Sequence, residues 1–371
     1  MDIKLIRNVL LTFPLIAIVA ACGGKSAPAT EDGTNIFEEA VFIKGIPQGD
    51  DIMEVTVVNP WDTAAVLAEY QLVNQGAQAA DKWGTRLQLP LKRLVVYSAV
   101  HAALLAELGY ADAVVGVADA AYIKTPAIVE RLKDGRIADI GSSMEPSLEK
   151  IISLKPDAVL ISPFQNAGHG VVDKAGVPVI ECADYMETTP LGRAEWSEFY
   201  AMLVEGIAPS NSRVFDESKR RYNQLVEKAA GYPDKPKVIT ELQTRGTWLM
   251  PGGNSYAGRM LVDAGATYPF AGNKSPGSIP MNYEKAFMAS QDADFWLVKS
   301  YGEELTLNDI AKNHPLNKRI WAYQNNGIYN ANTARVNLYE ETPFHPERLL
   351  ADYVAIFHQT GDSLRYFAPV R

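Results

Sequence analysis

Short apolar runs alternate with segments of helical periodicity along most of the chain. The apolar runs of the first series are RLVVYS, AVVGVAD, AVLIS and VPVIECAD, and helical segments such as VHAALLAELG lie between them. A second series starts at KVITEL and continues through DFWLVKS and a segment around residues 322–329. Apolar strands that alternate with helices are typical of parallel sheets covered on both faces. The pattern therefore predicts two α/β lobes, each with a mainly parallel, Rossmann-like sheet.

A single long helix is predicted between the two lobes. The segment from Ser210 to Ala230 is amphipathic, and Gly231 and Pro233 then provide a stop signal. About twenty helical residues span ~30 Å, roughly the width of a small domain, so this helix is long enough to join the lobes. Upstream, alternating residues on either side of PQGDD predict an antiparallel hairpin.

These patterns divide the chain into six ranges. They are a lipoprotein signal peptide at 1–22, a flexible tether at 23–35, an N-terminal β extension at 36–90, lobe 1 at 91–208, the connecting helix at 209–231 and lobe 2 at 232–371.

The N-terminus predicts export and lipidation. Lys4 and Arg7 precede an apolar stretch of signal-peptide length, which ends in the small residues of VAAC. This motif resembles a bacterial lipobox, and Cys22 would be the acylated residue. An ordinary secretory signal with an incidental cysteine is the alternative. The small and polar run GGKSAPATEDGTN reads as a tether, so we expect a protein that faces the periplasm and is anchored to a membrane by its lipid.

Charge and motif content exclude several functions. The formal net charge is −9 and no basic cluster is interleaved with aromatic residues, which argues against nucleic acid as a partner. The sequence has no GxSxG, HExxH, Walker or CxxC motif, so no enzyme activity is predicted. The five histidines are scattered, which disfavours a receptor for bare zinc or manganese and predicts no metal site built from side chains. The remaining cysteine, Cys182, is predicted to be buried.

Several motifs in order resemble the substrate-binding proteins of ABC importers for iron complexes and cobalamin. They are SAVHAALLAELG, ADIGSSMEPSLEKIISLKPDAVLIS, DYMETTPLGRAEW, TWLMPGGNSYAGRMLVDAGA and FHPERLLADYVAIFH, within residues 93–359. The resemblance implies capture of a chelated metal complex, an iron siderophore or haem, in a cleft between the lobes. It also implies delivery to an ABC permease dimer with its ATPase, and no cofactor other than this ligand. A cobalamin or cobamide ligand is the alternative within the family, and a periplasmic chelatase-like enzyme is the alternative from another class.

A repeated pattern gives each lobe one candidate docking residue. PSLEKIISLKPDAVLIS and NYEKAFMASQDADFWLVKS both open a short helix with Glu-Lys and continue into an apolar strand. The family resemblance implies that Glu149 and Glu284 dock onto basic residues of the permease. The alternative is that helix starts favour glutamate through the helix dipole alone.

Candidate ligand contacts follow the predicted strand ends, where open α/β sheets bind ligands. In lobe 1 they are Ser98, Tyr122, Lys124, Gln165 and Tyr185, and in lobe 2 they are Arg245, Trp248, Tyr301 and Arg335. Aromatic faces and arginine forks suit a large, anionic and partly aromatic ligand, and haem, a ferric siderophore and a cobamide all fit this mix. Two alternatives stay open: Trp248 as a core residue, and Arg335 as a surface partner of Glu340 or Glu341.

Overall fold

The computed structural model describes residues 33–78, 83–208 and 213–371. Cys22, the predicted signal peptide and most of the predicted tether lie outside these residues. Residues 34–371 form one compact unit. Within the described ranges, no helix combines the length and the apolar character that crossing a membrane requires.

The N-terminal region forms a four-stranded sheet. Its strands, in spatial order, are β1 (Ile43–Pro47), β2 (Ile52–Val58), β3 (Val66–Val73) and β4 (Thr85–Gln88). The predicted hairpin is present as β1 and β2, which pair antiparallel with Ile43 opposite Val57. Strand β4, parallel to β3, was not predicted. Alternate residues of β2, among them Val55 and Val57, are buried in the same core as lobe 1, so the sheet is packed against that lobe.

Two buried carboxylates fix the chain that enters this sheet. Glu195 accepts hydrogen bonds of 2.7–2.8 Å from the backbone N–H groups of residues 38–40. Glu187 accepts from the next two N–H groups, those of Val41 and Phe42. Glu187 precedes the last helix of lobe 1 and Glu195 lies within that helix, so both side chains attach the extension to lobe 1. Burial raises the pKa of both carboxyls.

Lobe 1 contains a five-stranded parallel sheet in the order β11-β10-β5-β6-β7. The strands are β5 (Leu94–Val96), β6 (Val114–Val117), β7 (Ala138–Asp139), β8 (Gly141–Ser142), β9 (Glu145–Pro146), β10 (Ala158–Ile161) and β11 (Val179–Glu181), where β8 and β9 form a separate small hairpin. The helices are α1 (Ala99–Glu107), α2 (Pro126–Lys133), α3 (Leu148–Leu154) and α4 (Pro190–Glu205). The central strands β5, β6 and β10 are buried along their whole length, as their apolar sequences predict.

The connecting helix is α5 (Arg213–Ala230). Near its start, Val214 packs against the lobe 1 core, whereas Tyr222 and Ala229 belong to the core of lobe 2. The helix therefore runs from one lobe to the other, as its length predicts.

Lobe 2 repeats the architecture with a smaller sheet in the order β12-β15-β16-β17. The strands are β12 (Val238–Thr240), β13 (Thr247–Pro251), β14 (Ser278–Asn282), β15 (Phe295–Ser300), β16 (Ile328–Asn332) and β17 (Ala368–Pro369). The helices are α6 (Tyr256–Asp263), α7 (Tyr283–Ser290), α8 (Leu307–Asn313), α9 (Trp321–Gln324), α10 (Leu338–Glu341) and α11 (Pro346–Phe357). Strands β12, β15 and β16 are parallel, β17 is antiparallel to β16, and β13 pairs with β14 in a separate hairpin.

One strand boundary differs from the prediction. The strand predicted around residues 322–329 begins only at Ile328, because α9 occupies the earlier positions. Asn326 has a φ of 56°, and a Cβ at Gly327 would lie 2.1 Å from the Asp294 carbonyl oxygen. The tight turn at these two residues separates the helix from the strand, and apolar periodicity does not report such a turn.

A second connection between the lobes lies at α10. The side chain of Glu340 accepts a hydrogen bond of 2.7 Å from the Lys124 backbone N–H and also binds the Thr125 hydroxyl. Phe344 is buried in the lobe 1 core, and His345 binds Glu107 of α1 at 2.8 Å. The two lobes are thus held by packed side chains as well as by α5. The predicted fold class, two mainly parallel α/β lobes joined by one long helix, is confirmed.

Candidate ligand-binding cleft

A pocket of about 750 Å³ lies at the carboxyl ends of the lobe 1 strands, and we call it the lobe 1 pocket. Tyr97 follows β5, Asp119 follows β6 and Phe164 follows β10, and all three residues line it. Because parallel strands end at the same edge of a sheet, residues far apart in sequence meet there.

Large apolar side chains border the lobe 1 pocket and remain open to solvent. Tyr122 is 65% exposed, Phe164 is 64% exposed and Met144 is 81% exposed. Exposed apolar groups of this size, gathered at one pocket, mark a surface for binding. Flat aromatic rings are suited to contact with an apolar or aromatic ligand.

His169 lines the same pocket and is held between two carboxylates. Its Nδ1 lies 2.8 Å from Asp173 and its Nε2 lies 2.6 Å from Glu181. The hydrogen bond with Glu181, aided by the one with Asp173, raises the pKa of His169 to about 9 although partial burial opposes the charge. The imidazole is therefore protonated at neutral pH, and it ties the 3-10 turn at residues 170–174 to the end of β11.

A second pocket of about 660 Å³ lies between the lobes, and we call it the interlobe pocket. Lobe 1 contributes Tyr185 and Arg193, and lobe 2 contributes Leu249, Lys299 and Tyr339. The Tyr185 hydroxyl donates a hydrogen bond of 2.5 Å to the carbonyl of Pro163, a residue that lines the lobe 1 pocket. The two pockets therefore adjoin, and together we call them the cleft.

A buried hydrogen-bond network supports the lobe 1 side of the interlobe pocket. Asp184 contacts His101 at 2.8 Å, the Tyr200 hydroxyl at 2.9 Å and the Arg193 guanidinium at 3.2 Å. Burial opposes ionisation, yet His101, Arg193 and Tyr200 hold the pKa of Asp184 below its usual value. The guanidinium of Arg193 also lies 5.9 Å from the centre of the Tyr256 ring of lobe 2. The network thus fixes a basic side chain at the junction of the lobes.

Three of the predicted contact residues line the cleft. Ser98 and Tyr122 line the lobe 1 pocket, and Tyr185 lines the interlobe pocket. Ser98 also caps α1, where its hydroxyl accepts a hydrogen bond from the Val100 N–H.

Trp248 does not fit the predicted role of ligand contact. It is 1% exposed, its indole N–H donates to the Thr240 carbonyl at 2.9 Å, and its ring packs against Trp296 and Tyr283. The position of Trp248 therefore matches the alternative left open by the sequence, that this residue belongs to the core. Strand alternation explains the difference, because the neighbouring Leu249 faces the cleft instead.

The three predicted basic contacts also lie elsewhere. Lys124 is engaged with lobe 2 through its backbone N–H, Arg245 is exposed in a left-handed turn with a φ of 52°, and the exposed Arg335 lies 3.7 Å from Glu304. None of the three is among the described residues that line either pocket. Gln165 and Tyr301 are exposed but also stand outside both linings. The left-handed backbone at Arg245 is a feature that the apolar pattern does not reveal.

Several lining residues were not predicted. Tyr97, Asp119 and Glu241 each lie within two residues of the end of a buried strand, so the position alone was an available signal. His169 and Lys299 carried no such signal, because one lies in a long loop and the other lies inside a strand. Among the residues that the structure describes, no three His, Cys, Asp or Glu side chains are grouped so that they could hold a metal ion.

The two candidate docking glutamates occupy equivalent local structures. Glu149 lies in the first turn of α3, which Ser147 caps by accepting from the Lys150 N–H. Glu284 lies in the first turn of α7, which Asn282 caps in the same way. Both glutamates are exposed, and neither lines the cleft.

Comparison with known proteins identifies the family. Residues 94–333 match the family model described as periplasmic binding protein. The chain therefore belongs to this family, whose members are binding proteins rather than enzymes. The resemblance found in the sequence is confirmed.

Individual relatives support the same assignment. An uncharacterised lipoprotein of Methanocaldococcus jannaschii is 28% identical over 58% of this chain, and the match spans 53% of the relative's own length. The petrobactin-binding protein YclQ of Bacillus subtilis is 25% identical over 46% of this chain and 49% of its own length. A periplasmic heme-binding protein from Pseudomonas aeruginosa superposes with a TM-score of 0.56 at 16% identity, covering 76% of this chain and 98% of its own. This last likeness concerns the fold.

Proposed function

We propose that the protein captures a chelated metal complex, an iron siderophore or haem, in the cleft and delivers it to an ABC importer. The observation that carries this proposal is the pair of adjoining pockets at the strand ends of two lobes. Their volumes, about 750 and about 660 Å³, lie within the range of ~300–1,000 Å³ typical of small-molecule sites. The space suits an organic chelate with its metal rather than a bare ion.

The chemistry of the lining supports the same ligand class. Tyr122 and Phe164 on lobe 1 and Tyr339 on lobe 2 present exposed aromatic rings to the cleft. The relative from Bacillus subtilis binds petrobactin, and the structural neighbour from Pseudomonas aeruginosa binds heme.

Delivery would use the outer face of each lobe. Glu149 and Glu284 are exposed in the first turn of their helices, where the helix dipole favours a carboxylate by ~0.3–1 kcal/mol. An exposed apolar side chain follows each one on the same helix: Ile152 after Glu149 and Met288 after Glu284. Two carboxylates on separate lobes suit a permease dimer that presents one basic site on each subunit.

Anchoring would place the protein at a membrane surface that faces the periplasm. The lipobox-like VAAC ending at Cys22 motivates this part of the proposal, and lipoproteins occur among the relatives. Mass spectrometry of the protein from membranes should detect an acylated Cys22, and an unmodified Cys22 would refute the anchor.

Ligand capture is tested by titration of the purified protein with haem, followed by absorbance, and with a ferric trihydroxamate, followed by tryptophan fluorescence. We expect saturable binding with one complex per protein for at least one probe. A Phe164→Ala variant should bind more weakly, whereas Phe42→Ala, which alters the distant N-terminal core, serves as a control for general destabilisation. Absence of saturable binding by both probes would refute capture of a chelate.

Delivery is tested separately by the double variant Glu149→Ala, Glu284→Ala in cells that depend on the importer. We expect unchanged ligand affinity in vitro and loss of uptake. The matched control is Glu130→Ala, Glu227→Ala, which removes two exposed helical carboxylates outside the docking faces. Normal uptake by the first double variant would refute the docking role.

A further inference from the structure

The charged groups that line the lobe 1 pocket are mainly acidic. Asp119 and Glu145 line it as carboxylates, and the described lining includes no lysine or arginine. His169 is the one basic side chain in this described lining, and its two ring nitrogens already face Asp173 and Glu181. The positive charge of the imidazole is therefore compensated within the protein and is not available to bind an anionic ligand.

The basic groups of the interlobe pocket are compensated as well. Arg193 is bound to the buried Asp184 at 3.2 Å, and Lys299 forms an ion pair with Glu241. Burial lowers the pKa of Lys299, but the facing Glu241 more than offsets this and keeps the ammonium charged. A ligand bound through either cation would have to share its positive charge with the carboxylate that already pairs with it, Asp184 for Arg193 and Glu241 for Lys299.

The side chain of Tyr97 also lines the lobe 1 pocket. The Tyr97 hydroxyl is shielded from solvent and has no hydrogen-bond partner among the described residues, although Tyr97 lines the pocket. Partial burial raises the pKa of Tyr97 to about 12, so the hydroxyl stays neutral. Tyr97 therefore adds aromatic surface and no charge to this pocket.

We propose that the cleft selects a chelate without net negative charge, one that is neutral or cationic and carries apolar surface. This inference rests on the proposed function and narrows it to neutral or cationic siderophore complexes, because the two propionates of haem give that ligand a net negative charge. It replaces the expectation of an anionic ligand, which depended on Lys124, Arg245 and Arg335 reaching the cleft. Asp119 and Glu145 set the selectivity by repelling anionic groups, while Tyr122, Phe164 and Met144 supply the apolar contact.

A matched series of ferric trihydroxamates tests the inference. The ferric complex of desferrioxamine B carries one positive charge on its free amine, its N-acetyl derivative is neutral, and its N-succinyl derivative carries one negative charge. The metal centre is the same in all three, so differences in affinity report charge. We expect affinity to rise about three- to tenfold from the anionic to the neutral complex, and by a similar factor from the neutral to the cationic complex. Both affinity ratios should become smaller at high salt.

Each outcome has a distinct meaning. Equal or tighter binding of the anionic complex would overturn the charge selectivity and leave the proposed function standing. Failure of all three complexes and of haem to bind a correctly folded protein would overturn the proposed function itself, and the selectivity with it.

Two conservative variants locate the selectivity. Glu145→Gln and Asp119→Asn each remove one charge with little change in shape, and asparagine tolerates the left-handed backbone of position 119. We expect each variant to narrow the ratio between cationic and anionic complexes about three- to tenfold at unchanged stability. Glu227→Gln, the same charge change on the exposed face of α5, should keep the wild-type ratio. If neither cleft variant changes the ratio of affinities for the cationic and anionic complexes, the assignment of the selectivity to Asp119 and Glu145 is overturned.

Discussion

Raising the pH should destabilise the folded protein through His169. The folded pKa of this imidazole is about 9 and its ordinary value is 6.5, so folding favours the protonated form. Its contribution to the free energy of unfolding is complete below about pH 6.5 and is lost as the pH rises to about 9. At ~1.4 kcal/mol per pKa unit the full shift corresponds to about 3 kcal/mol, and partial exposure of the ring to solvent lowers the expected loss to about 1–3 kcal/mol.

Urea unfolding followed by tryptophan fluorescence measures this loss at about pH 6.5 and pH 9.5. The wild type should lose about 1–3 kcal/mol more between these two pH values than the His169→Gln variant does. His358→Gln is the control, since burial lowers the pKa of that ring and it is neutral over most of the interval. Identical losses in the wild type and His169→Gln would refute the reasoning, because the ion pairs with Asp173 and Glu181 would then contribute nothing.

Three further predictions follow from the packing. Glu195→Ala should lower the free energy of unfolding by roughly 2–4 kcal/mol in urea denaturation, since three backbone N–H groups lose a charged acceptor, and a loss below about 0.5 kcal/mol would contradict this. Trp248→Ala should lower the free energy of unfolding by about 3–5 kcal/mol, because this side chain is buried in the core. Leu249→Ala should leave stability nearly unchanged and weaken ligand affinity, because Leu249 lines the interlobe pocket. The reverse pattern would contradict both assignments. Small-angle scattering profiles with and without ligand should nearly coincide, because α5 and the α10 contacts brace the lobes, and a large fall in the radius of gyration would disagree.

The fold could be predicted because its signals are local and repeated. Buried parallel strands such as Leu94–Val96 and Ala158–Ile161 appear in the sequence as unbroken apolar runs. The connecting helix was also visible, since its amphipathic pattern continues for the length of a small domain. Strand β16 was misplaced at its start because the turn at Asn326 and Gly327 depends on contact with Asp294, which is distant in sequence.

The site was predicted less well, for a physical reason. Strand ends indicated where the cleft lies, and Ser98, Tyr122 and Tyr185 were found in this way. The direction of a side chain depends on backbone conformation in a loop and on alternation in a strand, so Arg245 and Trp248 were assigned to the cleft although neither is among its lining residues.

The charge of the cleft was also beyond the sequence. Arg193, Lys299 and His169 each pair with a carboxylate that only the folded chain brings within reach. The basic contacts predicted from strand ends were Lys124, Arg245 and Arg335, and none of them is among the described residues that line the cleft.

The central claim is that one chelated metal complex occupies the space between the two lobes. The most direct measurement is a crystal structure of the protein grown with a ferric trihydroxamate, with anomalous diffraction collected at the iron absorption edge. We expect one iron peak in the cleft, close to Tyr122 and Phe164 on one side and facing Leu249 and Tyr339 on the other. An iron peak on an outer face, beside Glu149 or Glu284, or no iron peak from a saturated crystal, would contradict it.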